Sequence, residues 1–281
     1  MAPLRRCLRL VALVIVTAAA FAAALLLRLR ARLFFVRHDG RPAVVRAWAR
    51  AVAAVIGLRV DASGPVPRPP CLVVANHVSY LDIIVLGTKV PAVLVAKSDV
   101  ANWPIIGTLC RAAGTLFIDR ASRFRLPSVL AEMARVLDTG GAIIVFQEGT
   151  STDGRRVQAF RSSALEPVAA GGYPVQYAAL FYQTGIGMPP AEQAVCWWGD
   201  MTLVDHLWRL LALPSVTARL RFGADPGGAR DRRTLALRLH AAVAGSLADI
   251  RASALPDEHD TQRRAAAPCG PQADAGPDAV F

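Results

Sequence analysis

The chain has 281 residues, of which 54% are hydrophobic, and its formal net charge at pH 7 is +11. The first 60 residues hold eleven arginines and one acidic residue, so the other 221 residues carry 21 basic and 20 acidic groups. A nearly neutral body argues against nucleic-acid binding, whereas a basic and apolar N-terminus favours contact with an anionic membrane surface.

The five cysteines are spread along the chain and form no Cys-x-x-Cys pair. An odd number of cysteines argues against a complete disulfide framework, and their spacing matches no metal-site pattern. We therefore predict reduced thiols, compatible with the cytosol, and no bound metal.

The most apolar segment covers residues 10–27, which carry no charge and are flanked by arginines on both sides. Eighteen helical residues span about 27 Å, close to the thickness of a hydrocarbon core of about 30 Å. A cleaved signal peptide also fits this pattern, but the apolar run continues through Leu27 and stops at Arg28, which favours an anchor. Because both flanks are basic, the positive-inside rule does not decide the orientation. We predict a membrane anchor over residues 1–33.

Apolar residues recur at helical spacing over residues 42–58, with Trp48 among them. This pattern predicts an amphipathic helix, which either lies at a membrane interface or packs on the following domain. We assign residues 34–63 to this helix and a linker.

From residue 64 onward, short apolar runs alternate with helical patterns, which is typical of an α/β domain with strands covered on both faces. The predicted strands are residues 72–75, 92–96, 114–118, 142–146, 175–181 and 217–222. The predicted helices are residues 82–88, 104–112, 124–139, 162–170, 203–211 and 232–252. We predict a central, mostly parallel or mixed sheet flanked by helices over residues 64–225, a C-terminal helix over 226–255 and a disordered tail over 256–281.

The segment from Asn76 to Asp82 follows the first of these predicted strands and contains His77 and Ser79. Imidazole exchanges a proton near neutral pH, and a nearby carboxylate can orient it as a general base. Five positions do not place two side chains on one helix face, so His77 and Asp82 meet only if the chain turns between them, where Ser79 can cap the helix. The alternative is a loop histidine beside a capping aspartate.

Two further strand ends carry polar residues. Residues 114–118 lead to Arg120, whose guanidinium suits a bidentate contact with phosphate, although an ion pair with Asp119 is the alternative. Residues 142–146 lead to Glu148 and Gly149, where a carboxylate can accept from a hydroxyl and glycine allows close backbone approach. An ordinary glycine-containing turn is the alternative.

In this order the three segments resemble blocks one to three of the PlsC-like glycerolipid acyltransferases, the 1-acyl-glycerol-3-phosphate acyltransferase family. The pattern N-H-x-S-x-x-D is matched in full, and G-x-x-F-I-x-R is matched through Arg120. The third pattern, F-P-E-G-T-R-S, is matched in part, because Gln147 replaces proline and Ser151 replaces arginine; Arg155 or Arg156 could stand in. A fourth block, which normally carries a proline, is expected within residues 173–180, where Pro174 lies close to the expected position and Tyr177 stands at it. Ser151 and Tyr177 are the departures from the family pattern at which we expect the acceptor to be selected.

Two further stretches, residues 148–163 and 197–208, resemble the bacterial branch that includes lyso-ornithine lipid acyltransferases. The acceptor of that branch lacks a glycerol phosphate. The acceptor of this chain is therefore left open by the resemblance.

The resemblance implies an O-acyltransferase that moves a fatty acyl group from acyl-CoA or acyl-carrier protein to the free hydroxyl of a lysolipid, without a cofactor or metal. The expected acceptor is 1-acyl-sn-glycerol-3-phosphate, with lyso-ornithine lipid as the alternative. A catalytically inactive, membrane-anchored lipid-binding protein is the alternative from another class. The expected location is a bacterial inner membrane, with the catalytic domain facing the cytosol. By this resemblance the catalytic residues are His77 and Asp82, and the substrate-binding residues are Asn76, Ser79, Arg120, Glu148, Gly149 and Thr150.

Overall fold

A computed structural model of the protein describes residues 2–34, 40–119, 126–224, 227 and 231–254. Arg120 and the tail predicted over residues 256–281 lie outside the described residues. The strands are β1 (Leu58–Ser63), β2 (Cys71–Ala75), β3 (Val93–Lys97), β4 (Leu116–Ile118), β5 (Ala142–Phe146), β6 (Val175–Thr184) and β7 (Val216–Ala224). The helices are α1 (Ala2–Phe34), α2 (Arg41–Ile56), α3 (Leu81–Lys89), α4 (Ile106–Ala113), α5 (Leu126–Asp138), α6 (Glu166–Gly171), α7 (Ala191–Ala194), α8 (Leu203–Leu210) and α9 (Arg232–Ala254), and Ser98–Asn102 and Ser163–Leu165 form 3-10 turns.

The described strands form a single sheet in the order β1-β7-β6-β2-β5-β3-β4. Only the pair β6–β7 is antiparallel, and every other neighbouring pair is parallel. Strand β2 lies at the centre, with β6 on one side and β5 on the other. The predicted α/β fold with a mixed, mostly parallel sheet flanked by helices is confirmed.

Both faces of the central strands are covered, which explains why their sequences are continuously apolar. Leu72 and Val74 of β2 pack with Met133 and Leu137 of α5 on one face. The alternate residues of β2 pack on the other face with residues of α2 and α3. The loops after β2 and β5 therefore emerge from strands that are buried along their whole length.

Strand β1 is not among the strands that the sequence predicts. The predicted helix before it ends at residue 58, and the predicted linker includes residues 59–63. Gly57 adopts a φ of 73° at the end of α2, so the chain turns directly into the strand. Residues of β1 alternate between inward and exposed positions, as a strand at the sheet edge does. Because the exposed residues Arg59 and Asp61 separate the apolar ones, the strand has no continuous apolar run by which it could be predicted.

Helix α1 packs along the body of the protein. Near its start, the Arg9 guanidinium donates to the carbonyl of Leu213 at 2.6 Å and to that of Pro214 at 3.0 Å. At its middle, the indole N–H of Trp48 in α2 donates to the hydroxyl of Thr17 at 3.1 Å. Among the described residues, α1 is the one helix long and apolar enough to cross a membrane by length and composition.

Candidate active site

The candidate site lies at the carboxyl ends of β2 and β5, which run side by side in parallel with Ala75 opposite Phe146. The loop that follows β2 carries His77, and the loop that follows β5 carries Glu148. Parallel strands deliver both loops to the same edge of the sheet, the usual position of sites in open α/β sheets. Two of the three predicted segments are thus brought together.

His77 and Asp82 are in direct contact, with Nδ1 of the imidazole 2.7 Å from Oδ2 of the carboxylate. The side chain of His77 is 20% exposed, whereas that of Asp82 is fully buried in the first turn of α3. The imidazole also stacks on the ring of Phe146, with ring centroids 4.2 Å apart. This arrangement holds the ring by one nitrogen and one face and leaves Nε2 as the nitrogen that can meet a substrate.

The turn between the two residues is built around the Asp82 carboxylate. Its Oδ2 accepts from the backbone N–H groups of Val78 at 2.7 Å and Ser79 at 3.0 Å. Its Oδ1 accepts from the hydroxyl of Tyr182 in β6 at 2.8 Å. The expectation that the chain turns between His77 and Asp82 is confirmed, and the carboxylate itself organises that turn.

Asn76 and Ser79 lie in this loop but are buried among protein groups. The side-chain amide of Asn76 donates to the carbonyl of Leu180 at 3.0 Å and accepts from its N–H at 2.8 Å. The hydroxyl of Ser79 accepts from the N–H of Leu81 at 3.4 Å. The N-cap of α3 is Tyr80, which makes no side-chain capping hydrogen bond, and not Ser79 as predicted. These contacts position the loop, and substrate contacts of Asn76 and Ser79 stay predictions.

Glu148 ties two loops together through both carboxylate oxygens. Oε1 accepts from the backbone N–H of His77 at 2.6 Å, and Oε2 accepts from the backbone N–H of Gln158 at 2.7 Å. Burial raises the pKa of this carboxyl from 4.5 to about 7, although the two N–H donors act in the opposite direction. The contacts place Glu148 behind His77, and its predicted contact with the acceptor stays a prediction.

The loop after Glu148 continues along His77. Gly149 has a φ of 84°, a conformation that glycine adopts without strain, and Thr150 after it is exposed. The N–H of Thr152 then donates to the carbonyl of His77 at 3.0 Å. Ser151 stands where the family pattern has arginine. It therefore lies between the exposed Thr150 and Thr152, which contacts the backbone of His77.

Two possible substitutes for the missing arginine follow in the same loop. The guanidinium of Arg155 lies 3.6 Å from the carboxylate of Asp153, and Arg156 is exposed. The edge strand β4, which leads to Arg120, is separated from β2 by β5 and β3. Arg120 itself lies outside the described residues, so its contact with the acceptor stays a prediction.

Tyr177 lies on the other face of the sheet from His77. It pairs with Val74 in the register of β6 and β2, and packs with the apolar residues beneath α5 and α9. The interpretation of this position as a point of acceptor choice therefore has no support from its surroundings.

Three contacts of this site carried no local sequence signal. Tyr182 and Leu180 come about 100 residues after the groups they contact, and Gln158 meets Glu148 through its backbone. Phe146 could have been found, because it is the last residue of an apolar strand that ends beside Glu148.

Residues 57–179 match the model of the protein family described as Acyltransferase. The lyso-ornithine lipid O-acyltransferase of Pseudomonas aeruginosa is 37% identical over 172 residues, which are 61% of this chain and 65% of that protein. The chain thus spans slightly less than two thirds of the length of this relative. The lyso-ornithine lipid O-acyltransferase of Brucella abortus is 32% identical over 185 residues, which are 62% of this chain and 69% of that protein. The 1-acyl-sn-glycerol-3-phosphate acyltransferase of Neisseria meningitidis is 28% identical over 215 residues, which are 75% of this chain and 83% of that protein.

The fold is similar to the crystal structure of the 1-acyl-sn-glycerophosphate acyltransferase PlsC from Thermotoga maritima. The TM-score is 0.60, and the superposition covers 90% of this chain and 98% of that chain at 18% sequence identity. At this identity the likeness shows a shared fold.

Proposed function

Because the chain belongs to the acyltransferase family, we propose that it transfers a fatty acyl group from a thioester to the free hydroxyl of a lysolipid, with His77 as the general base. The observation that carries this proposal is the 2.7 Å contact between Nδ1 of His77 and the buried carboxylate of Asp82. A buried carboxylate on one ring nitrogen selects the tautomer in which the other nitrogen accepts a proton.

In the proposed reaction, the lysolipid oxygen attacks the thioester carbonyl carbon while Nε2 of His77 takes the hydroxyl proton. The new ester C–O bond forms, the C–S bond breaks, and the leaving thiolate recovers the proton from the imidazolium. Asp82 stabilises the imidazolium between these two steps. The hydroxyl is itself the nucleophile, so no covalent acyl-enzyme is required.

We propose lyso-ornithine lipid as the acceptor. Ser151 replaces the arginine of the family pattern, and the nearby Arg155 guanidinium lies beside Asp153. An acceptor without phosphate does not need an arginine at position 151. The higher identity to the Pseudomonas aeruginosa lyso-ornithine lipid O-acyltransferase supports the same acceptor.

1-Acyl-sn-glycerol-3-phosphate is the second candidate. The first two sequence blocks match the glycerolipid pattern in full, and the Neisseria meningitidis relative bears that activity in its name. Acyl-CoA and acyl-carrier protein are both candidate donors, because each presents the same thioester.

The acceptor is tested by measuring thiol release from acyl-CoA and from acyl-carrier protein, with the full chain in lipid vesicles. We expect kcat/KM for lyso-ornithine lipid to exceed that for 1-acyl-sn-glycerol-3-phosphate by at least about tenfold, the discrimination that one mismatched charged contact gives. The opposite preference would select the second acceptor. No thiol release above that of the His77→Ala variant with either acceptor would refute the proposed activity.

We also propose that α1 attaches the enzyme to a membrane through one apolar stripe. Its exposed residues from Leu4 to Leu26 are apolar, with Leu8 62% and Ile15 62% exposed. Arg5 and Arg9 instead contact backbone carbonyls of residues 211–214 in the body. A helix fixed to the body on one face and apolar on the other fits an orientation along the bilayer surface.

The stripe is tested by flotation with vesicles that contain phosphatidylglycerol. We expect the double variant Leu8→Glu/Ile15→Glu to lose vesicle binding, because two charges would have to enter the apolar layer. Leu237→Glu is the matched control, since Leu237 is an exposed leucine of α9 outside the stripe. Equal binding of both variants would show that α1 does not form the contact.

A further inference from the structure

Strand β6 extends past the end of β2 and runs along the loop that carries His77. The two strands pair only as far as Ala75 and Ala178, whereas β6 continues to Thr184. This overhang brings Leu180 to Asn76 and Tyr182 to Asp82. Residue 182 lies beyond the region that matches the family model, so its place in the site follows from this chain alone.

The hydroxyl of Tyr182 donates to Oδ1 of Asp82 at 2.8 Å, and both side chains are buried, with Tyr182 2% exposed. The other oxygen, Oδ2, is shared by the His77 ring and the N–H groups of Val78 and Ser79. In the described part of the chain, Tyr182 is thus the hydrogen-bond donor that the structure places on Oδ1.

We propose that Tyr182 is a positioning residue, whose hydroxyl fixes the plane of the Asp82 carboxylate and moderates its pull on the proton of His77. This inference rests on the proposed function of His77 as a general base. A donor on Oδ1 stops the carboxylate from rotating and keeps Oδ2 directed at Nδ1. It also draws charge away from Oδ2, so the carboxylate favours the protonated imidazole less strongly.

Other titratable groups surround this carboxylate and must be kept unchanged in any test. His77 on the same loop, Glu148 after β5 and Cys196 between α7 and α8 interact with Asp82 itself. Tyr80 interacts with Tyr182, and Asp153 and Glu192 interact with Cys196. A substitution that removes only the Tyr182 hydroxyl leaves all of them in place.

The test is Tyr182→Phe in the full chain, assayed in vesicles. We expect kcat at pH 8 to fall about tenfold, the effect of losing one hydrogen bond to a charged group, with both KM values unchanged. Without the donor on Oδ1, Asp82 holds the imidazolium more strongly, so the acid limb of the pH–rate profile moves to higher pH. Tyr173→Phe is the matched control, because its hydroxyl donates to Asp138 away from the site, and it should change neither readout.

A second substitution should move the acid limb of the pH–rate profile in the opposite direction while keeping the size and the hydroxyl of the side chain. With 3-fluorotyrosine in place of Tyr182, the phenol is more acidic and donates more strongly, so the acid limb should move to lower pH. Histidine ¹⁵N NMR, with the His77 signals identified by their loss in His77→Ala, follows the same protonation in the resting protein. It reports on Tyr182 even if the proposed acyl transfer fails.

The inference is overturned if the His77 titration is the same in the wild type and in 3-fluorotyrosine protein. It is equally overturned if Tyr182→Phe lowers kcat by one factor at every pH and lowers the unfolding temperature, because that result describes packing alone. Opposite shifts of the His77 titration in the two variants would support it.

Discussion

Glu148→Gln separates two roles for this carboxylate, because the sequence resemblance predicts a contact with the acceptor and the structure shows contacts with the protein backbone. Both oxygens accept backbone N–H groups, from His77 at 2.6 Å and from Gln158 at 2.7 Å. Glutamine offers one oxygen, so one N–H would face an amide NH₂ group. Leaving a buried donor without a partner costs about 1–3 kcal/mol.

The pH dependence of stability sharpens this test. Burial raises the pKa of Glu148 from 4.5 to about 7, a gap that corresponds to about 3 kcal/mol. Because the pKa of Glu148 is higher in the folded state than in the unfolded state, the folded protein binds more protons. The stability that Glu148 contributes in this way is fully present below pH 4.5 and is lost as the pH rises through 7. Glutamine cannot titrate, so the variant is less stable than the wild type at pH 5, and the difference closes above pH 8.

The assay combines chemical denaturation at pH 5 to 9 with steady-state kinetics at pH 8. We expect kcat to fall about tenfold because His77 loses its backbone anchor, with the acceptor KM unchanged. Glu132→Gln is the control, since Glu132 is an exposed residue of α5 paired with Arg135. A raised acceptor KM with unchanged kcat, or denaturation curves that stay parallel at all pH values, would refute the loop-clamp role.

Three further substitutions test other parts of the site. Asn76→Ala removes both hydrogen bonds to Leu180 and should lower the unfolding free energy by about 2–4 kcal/mol, measured by urea denaturation; a loss below about 1 kcal/mol would contradict this. Arg120→Ala should raise the acceptor KM in the thiol-release assay, and an unchanged KM would remove Arg120 from the acceptor site. Ser151→Arg should increase kcat/KM for 1-acyl-sn-glycerol-3-phosphate relative to lyso-ornithine lipid, and an unchanged ratio would show that position 151 does not select the acceptor.

The buried strands could be predicted because burial on both faces leaves a continuous apolar run. The prediction for residues 142–146 matches β5, and that for residues 72–75 misses only Cys71. Strand β1 was missed because only one face is covered and charged residues alternate with apolar ones. The last three residues of β6 fall outside the predicted strand because the polar residues Gln183 and Thr184 end its apolar run.

The site could be predicted only where its parts are close in sequence. His77 and Asp82 share one turn, and the turn follows from the strand end before it and the helix after it. The contacts of Glu148, Asn76 and Asp82 with other loops depend on strand order, which a single sequence does not reveal. These long-range contacts engage Glu148 and Asn76, two of the residues predicted to bind the substrate, with protein groups.

The most direct measurement of the proposed chemistry is the rate of acyl transfer by the purified His77→Ala variant in vesicles, with both acceptors and both thioester donors. A general base contributes about 10²- to 10⁴-fold, so we expect at least about a hundredfold loss of kcat. Circular dichroism and the unfolding temperature should stay close to those of the wild type, because the His77 ring lies at the edge of the core. A correctly folded His77→Ala variant that keeps most of its activity would contradict the assignment of His77 as the general base.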